Sequence, residues 1–111
     1  MKRNTDNILM HYLVCALWVS DMDSKSISDI IPSSMDKAKE DVESFLLKAG
    51  NLLSSDWSDE QIGHDFWLTR NGHGAGFWDR DLGEVGEQLT KASDQYPAID
   101  LYVGDDGLVH A

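Results

Sequence analysis

The spacing of apolar residues near the N-terminus constrains the fold of this chain most. Apolar side chains recur there in steps of three and four residues, the spacing that places them on one face of an α-helix. Polar residues at positions 4–6 supply N-cap candidates just before the run. The pattern predicts a helix over about residues 6–19, with Met10, Val14 and Trp18 widening its buried face. The repeating residues are Ile8, Leu9, Tyr12, Leu13, Ala16 and Leu17.

Three further helical segments are predicted from caps and apolar spacing. A second helix begins at a cap on Ser33 or Ser34 and stops near Gly50. A capping-box pattern at Ser58 predicts a short third helical turn, and Asp81 is the predicted cap of a helix that ends before Pro97. Residues 20–34, between the first two helices, are polar apart from isoleucines. This segment is predicted to be a loop docked through Ile27, Ile30 and Ile31.

The segment GHDFWLTRNGHGAGFWDR, residues 63–80, concentrates aromatic residues and glycines. Phe66–Thr69 is rich in strand formers, Asn71–Gly74 is a turn pattern, and Ala75–Trp78 returns, which predicts a β-hairpin with Trp67 opposite Trp78. Residues 99–103 and 108–109, joined by the turn Gly104–Gly107, predict a second hairpin.

These elements predict one α+β domain over residues 1–111. The order is ααα-ββ-α-ββ, with the N-terminal helices packed on one face of a small antiparallel sheet built from the two hairpins. The apolar fraction of 41% is sufficient for a packed interior.

The chain is strongly acidic, and its charge is uneven. The formal net charge is −11 over 111 residues. Residues 1–50 hold eight acids and six bases, a net −2, whereas residues 51–111 hold twelve acids and three bases, a net −9. Such a field repels nucleic acid and anionic lipid and attracts basic surfaces from a Debye length away, about 8 Å at physiological salt. The sequence therefore predicts a protein with a basic surface as partner, with no direct nucleic-acid binding and no membrane binding.

Carboxylates of the C-terminal half are the predicted contacts to that partner. They could stand in for phosphates, so that the protein acts as a DNA mimic in the basic groove of a nuclease, restriction enzyme or repair factor. The simpler interpretation is a solvated acidic face, which is what a run of charge usually is. The predicted binding residues are Asp56, Asp59, Glu60, Glu84, Glu87, Asp94, Asp105 and Asp106, with His73 at the tip of the first predicted hairpin.

A small enzyme or anionic-ligand-binding protein is the alternative. The base of the first predicted hairpin gathers acid, base and cation, with His64 as general base, Asp65 or Asp79 to orient it and Arg80 to hold an anionic substrate. A structural interpretation is also open: Asp65 and Arg80 form an ion pair across the strands, and Asp81 caps a helix.

No metal or cofactor site is predicted. His64 and His73 would lie roughly 20 Å apart on the predicted hairpin, whereas a shared Zn²⁺ requires each ligand within about 2 Å. Gly104–Gly107 lacks the alternating ligands of a calcium loop. The single cysteine, Cys15, lies in an apolar run, which predicts a buried thiol in a reducing compartment. Neither a membrane helix nor a signal peptide is predicted.

The segment at 63–80, together with Leu82-Gly83, Leu89-Thr90 and the stretch from Tyr102 to Gly107, resembles a family of small uncharacterised proteins encoded by tailed bacteriophages. That family has no established activity or catalytic residues. The resemblance implies an accessory phage protein in the host bacterial cytoplasm. Combined with the acidic balance, it predicts a non-enzymatic protein that binds and modulates a host or phage protein.

Overall fold

The computed structural model describes residues 4–22, 24–53, 57–71, 77 and 83–111. Within these residues the chain forms four α-helices followed by a two-stranded antiparallel sheet. Short 3-10 helices lie at Ile27–Asp29 and Gly50–Leu52. The predicted α+β class is confirmed, in a mostly helical form. The elements are α1 (Thr5–Val19), α2 (Pro32–Ala49), α3 (Asp59–Arg70), α4 (Glu84–Asp94), β1 (Tyr102–Val103) and β2 (Val109–His110).

Helix α1 has defined caps at both ends, and its prediction is confirmed. The Asn4 side chain accepts a hydrogen bond from the Asn7 backbone N–H at 3.0 Å. At the other end, the backbone N–H of Met22 donates to the Leu17 carbonyl at 2.8 Å, the outer hydrogen bond of a Schellman motif. Asp21 occupies the left-handed position of this motif, with φ 59°, where glycine is the usual residue.

Helix α2 begins before the predicted serine cap. Its N-cap is Ile31, whose side chain makes no cap hydrogen bond, and Pro32 is the first helical residue. The proline ring fixes φ near the helical value and lacks the N–H that would need a partner there. The predicted cap at Ser33 or Ser34 is therefore wrong. Ser34 instead accepts a hydrogen bond from the Ala111 backbone N–H through its Oγ at 3.1 Å.

The first strand of the first predicted hairpin is absent, so this prediction is wrong. Residues 59–70 form one helix, α3, so Phe66–Thr69 is helical and Trp67 is not in a strand that could pair with Trp78. Ser58 caps the helix as predicted, accepting from the Gln61 backbone N–H at 3.1 Å, but the helix continues for three turns. Apart from Asn71 and Phe77, the predicted turn and return strand lie outside the described residues. The predicted cap at Asp81 is wrong, because the N-cap of α4 is Gly83 and Glu84 is its first residue.

A hairpin forms where the second one was predicted, but its strands are Tyr102–Val103 and Val109–His110 rather than residues 99–103 and 108–109. Tyr102 pairs with His110 and Val103 with Val109 in an antiparallel ladder. The connecting turn, residues 104–107, ends at Gly107, whose φ of 76° is accessible to glycine at little cost. The described residues thus contain one hairpin rather than two. Their element order is αααα-ββ instead of ααα-ββ-α-ββ.

The segment between α1 and α2 docks through its isoleucines, as predicted. Ile30 is buried and forms a parallel bridge to Val109. The Ile31 backbone N–H donates to the Val109 carbonyl at 3.0 Å, and Ile27 packs partly buried against the core. These contacts attach the hairpin to the helical part of the molecule.

Helices α1 and α3 approach closely at Gly63. A Cβ added at this position would lie 2.6 Å from the Ile8 carbonyl oxygen and 2.8 Å from the Tyr12 nitrogen, both backbone atoms of α1. The glycine therefore allows the two helix backbones to come close together. Tyr12 then packs on α3, with its ring centroid 5.3 Å from that of Phe66 and 5.4 Å from that of Trp67.

Aromatic rings from several elements fill the centre of the core. Phe45 of α2 and Phe66 of α3 stack with centroids 4.1 Å apart and planes 8° apart. Phe77 packs on the Phe45 ring, and Tyr96 meets the Phe66 ring edge to face. Tyr96 Oη is 2.7 Å from Ser44 Oγ. Phe66 and Phe77, which were predicted to lie in the two strands of the first hairpin, are thus part of the core.

Candidate protein-binding surface

Helix α1 is apolar on almost every side, yet one line of its apolar residues faces solvent. Met10 is 42% exposed, Val14 44% and Trp18 72%. Their spacing of four residues places them on one side of the helix, and we call this set the α1 stripe. The expectation that the three side chains would widen the buried face is wrong. A surface helix normally has a polar face toward solvent, so an exposed apolar stripe requires an explanation.

An open groove of about 490 Å³ adjoins the α1 stripe. Val14, Leu17 and Trp18 line it from α1, and Lys25 and Ile27 line it from the segment that follows. Lys25 Nζ donates to the Gly107 carbonyl at 2.8 Å, which ties this side of the groove to the hairpin turn. The groove is thus mainly apolar, and its cation already has a hydrogen-bond partner.

Three of the predicted binding carboxylates make hydrogen bonds, and one of them, Glu84, accepts from Gln88 Nε2 within α4 at 3.2 Å. Asp59 is half-buried and accepts from Asn7 Nδ2 at 3.0 Å, which links α3 to α1. Asp106 accepts from the Leu108 backbone N–H at 2.9 Å and lies 3.2 Å from His110 Nε2. The Leu108 hydrogen bond, followed by that to His110, lowers the pKa of Asp106.

Glu84 is exposed, as are the other described carboxylates of the predicted set: Glu60, Glu87, Asp94 and Asp105. Asp56 and His73 lie outside the described residues. From residue 57 onward, the described residues contain one exposed lysine or arginine, Lys91, because Arg70 is buried. The acidic excess predicted from the sequence is therefore also an excess on the surface.

The surface of α2 differs, because charges of both signs are exposed there. Asp36, Glu40 and Glu43 are accompanied on this helix by Lys37, Lys39 and Lys48. Opposite charges at such spacing largely offset one another. The net negative field therefore originates mainly from the C-terminal part of the chain.

Arg70 is part of the core rather than of a ligand site. Its Nη1 donates to Asp41 Oδ2 at 2.8 Å and to Tyr12 Oη at 3.0 Å, and both Nε and Nη2 donate to the Pro97 carbonyl, at 3.1 and 2.9 Å. Lys37 Nζ reaches Asp41 Oδ1 from the surface at 3.3 Å. Burial raises the pKa of Tyr12 to about 12, although the neighbouring Arg70 acts to lower it. These contacts connect three helices, so Arg70 is not available to an anionic ligand.

His64 and Asp65, half of the predicted acid and base group, lie in α3 next to α1. The His64 ring meets that of His11 edge to face, with centroids 5.9 Å apart, and Asp65 is 1% exposed. Successive residues of an α-helix point about 100° apart, so the side chains of His64 and Asp65 point in different directions. The sequence pattern instead predicts that they lie together at the base of a hairpin. Asp79 and Arg80 lie outside the described residues.

Cys15 is a buried thiol, as predicted. Its Sγ lies 3.9 Å from the His64 carbonyl oxygen. Burial, together with a smaller effect from the negative charge of Asp65, raises the pKa of Cys15 to about 11. Because the thiolate is the reactive form, this cysteine is poorly suited to act as a nucleophile at neutral pH.

Neither a metal centre nor a membrane span is found in the part of the chain that the structure describes. None of its histidine, cysteine and carboxylate side chains group as three or more potential metal ligands. None of its helices has both the length and the apolar character needed to cross a membrane. Comparison of the chain with protein-family models, curated proteins and solved structures gives no match.

Proposed function

We propose that the protein is a non-enzymatic bacteriophage accessory protein that binds a basic surface of a host or phage protein and modulates that partner. The observation that carries the proposal is the surface charge from residue 57 onward, where exposed carboxylates face solvent with Lys91 as their one exposed cation among the described residues. Such a surface attracts a basic partner and speeds its association. The resemblance of residues 63–80 to tailed-phage proteins supplies the phage setting.

A DNA mimic is the more specific form of this proposal. Glu84, Glu87 and Asp94 lie along α4 over about 15 Å, at 1.5 Å per residue. Phosphates of one DNA strand advance about 3.4 Å per nucleotide, so this helix covers the rise of about four of them. The exposed Asp105 in the hairpin turn provides a further negative group. A partner that normally binds DNA in a basic groove would suit such a surface.

The proposal is tested by capturing the partner and measuring how binding depends on charge. Tagged protein is used to isolate partners from phage-infected cells, and the purified partner is titrated at about 50 and 200 mM salt. We expect the affinity to fall at least about tenfold, because salt screens contacts between exposed charges. An affinity that does not change with salt would contradict the electrostatic proposal.

Matched charge variants identify the surface that binds. The triple variant Glu84→Gln, Glu87→Gln, Asp94→Asn should weaken binding to the captured partner. The control, Asp36→Asn, Glu40→Gln, Glu43→Gln, removes the same charge from the mixed surface of α2 and should have a smaller effect. Equal effects would show that net charge alone matters. For mimicry, the protein must also displace labelled duplex DNA from the partner, and simultaneous binding of both would exclude it.

A further inference from the structure

The α1 stripe is an apolar surface with a carboxylate at each end. Asp6 is exposed one turn before Met10, and Asp21 is exposed three residues after Trp18. At 1.5 Å per residue, α1 rises about 20 Å from Asp6 to its last residue, Val19, and Asp21 follows two residues later. The groove beside Val14 and Trp18 adds depth to the surface. The arrangement combines a hydrophobic centre with negative ends.

Size and charge favour a single helix over a second copy of this chain. A stable dimer requires roughly 800 Å² from each partner, whereas three side chains along two helical turns offer only a few hundred Å², roughly. A second copy would also bring its own net charge of −11 and place Asp6 and Asp21 of both chains close together. An anionic membrane would be repelled for the same reason.

We propose that the α1 stripe and its groove bind a cationic amphipathic helix of the partner protein. Apolar anchors at positions i, i+4 and i+7 of that helix lie on Met10, Val14 and Trp18 and fill the groove, in the helix-in-groove mode of recognition. Basic residues near its two ends meet Asp6 and Asp21. About 15 residues of helix span this distance. The inference rests on the proposed function, and it adds a second surface that contacts the basic partner besides the acidic surface of α4.

One cation, Lys25, lines the groove, and its Nζ donates to the Gly107 carbonyl. The basic residues of the ligand are therefore assigned to the ends of the α1 stripe, at Asp6 and Asp21, and not to the groove. Other apolar side chains are exposed elsewhere in the described residues, including Tyr102, Val103 and Leu108 of the hairpin, whereas Val14 and Trp18 of the α1 stripe line the groove. Leu47 is 88% exposed on α2 and lies on the helix that presents charges of both signs. Leu47 therefore provides a control position for the test.

The experiment uses the full chain and a synthetic 16-residue peptide with leucine and lysine arranged at helical spacing. Controls are a scrambled peptide of the same composition and an analogue with glutamate in place of lysine. Calorimetry should show that the lysine peptide binds and that neither control peptide does. The amide NMR shifts should change most along residues 10–18, and the Trp18 indole signal should also change. Trp18→Ser or Met10→Ser should weaken binding at least about tenfold, whereas Leu47→Ser should leave it unchanged. Circular dichroism checks that each variant folds.

Charge variants test the ends of the site. Asp6→Asn and Asp21→Asn should weaken binding and reduce its salt dependence, and asparagine retains the tolerance for the left-handed conformation that Asp21 adopts. Equal binding of the scrambled or glutamate peptide would overturn the proposal. Two further results would overturn it: a dimer at neutral pH that Trp18→Ser abolishes, or binding to vesicles of phosphatidylcholine and phosphatidylglycerol that Trp18→Ser abolishes.

Failure of this inference is distinguishable from failure of the proposed function. If the captured natural partner binds the Trp18→Ser protein as tightly as the unsubstituted protein, the surface assignment is wrong while partner binding stands. If the lysine peptide binds in a Trp18-dependent manner but no basic partner is captured from infected cells, the surface assignment is supported and the proposed function fails.

Discussion

At Gly63, the backbone of α3 lies against that of α1 so closely that a methyl group would meet two backbone atoms within 3 Å. Gly63→Ala is therefore expected to lower the free energy of unfolding by about 1–3 kcal/mol, the usual cost of overpacking. Gly50→Ala is the control, since nothing lies within 4 Å of its added Cβ and its backbone is helical. That control should be neutral or stabilise by about 0.4–1 kcal/mol. Urea unfolding measures both, and equal effects would contradict the close approach.

Arg70 and Asp41 form a buried ion pair in which each side chain balances the charge of the other. Arg70→Met leaves the Asp41 carboxylate buried beside a lysine that is mostly in solvent, and we expect a loss of about 3–5 kcal/mol. Lys37→Met should cost less than about 1 kcal/mol, because exposed ion pairs contribute little. The double variant Arg70→Met, Asp41→Leu should be more stable than Arg70→Met alone. Urea unfolding of the three variants tests this, and equal losses for Arg70→Met and Lys37→Met would contradict it.

The Cys15 thiol is expected to be protected at alkaline pH. A pKa raised from 9.0 to about 11 reduces the thiolate fraction about 100-fold at pH 8, so reaction with a disulfide reagent should be at least that much slower in the folded protein than in urea. Because the folded pKa is the higher one, this stabilising contribution is complete below pH 9 and is lost between pH 9 and 11. Cys15→Ala should make the loss of stability in this window less steep, while the loss due to Tyr12, whose pKa is raised to about 12, remains. An unchanged profile would contradict the assignment.

For helix α3, the cap at Ser58 has a measurable role that the serines of α2 lack. Ser58→Ala removes the acceptor for the Gln61 N–H and should cost about 1 kcal/mol. Ser33→Ala should be close to neutral, since the N-cap of α2 is Ile31 and its side chain makes no cap hydrogen bond. Thermal unfolding of both variants compares the two positions. A larger loss for Ser33→Ala would restore the cap predicted from the sequence.

Elements with strong local signals were predictable from the sequence. Helix α1 has a polar cap followed by regular apolar spacing, and the hairpin at 102–110 has a glycine turn between strand formers. The strand predicted at Phe66–Thr69 also rested on local preference, but packing decided otherwise. Residues at helical spacing, including Ile62 and Phe66, become fully buried in α3. Strand propensity depends on context and is readily overridden by such burial.

The candidate site was only partly predictable. The acidic residues near the C-terminus were identified from composition, because the charge of a segment can be counted without knowing the fold. The α1 stripe was not predicted, since the spacing of Met10, Val14 and Trp18 in the sequence is typical of core positions. Their exposure depends on how neighbouring elements cover α1, a property of the packed structure. The sequence did carry one signal: α1 has almost no polar face, so it has more apolar surface than a helix at the protein surface needs to bury.

On the scale of the whole molecule, charge and the α1 stripe have opposing effects on association. An exposed apolar stripe favours contact between copies, whereas a net charge of −11 on each copy opposes it. At neutral pH and low salt, repulsion should dominate and leave the stripe open for a basic partner. Such a partner reduces the charge as it covers the apolar side chains. The two features are therefore complementary in a protein that binds a cationic helix.

This balance predicts self-association close to the isoelectric point, about pH 4.4. Sedimentation velocity at low ionic strength should find a monomer at pH 7.5 and larger species near pH 4.4, because repulsion vanishes there while the apolar stripe remains. Trp18→Ser should reduce the association and Leu47→Ser should not, although Leu47 is the more exposed side chain. Circular dichroism must show that the helices persist at pH 4.4. Equal association of both variants would mean that the loss of charge alone, without the stripe, brings the molecules together.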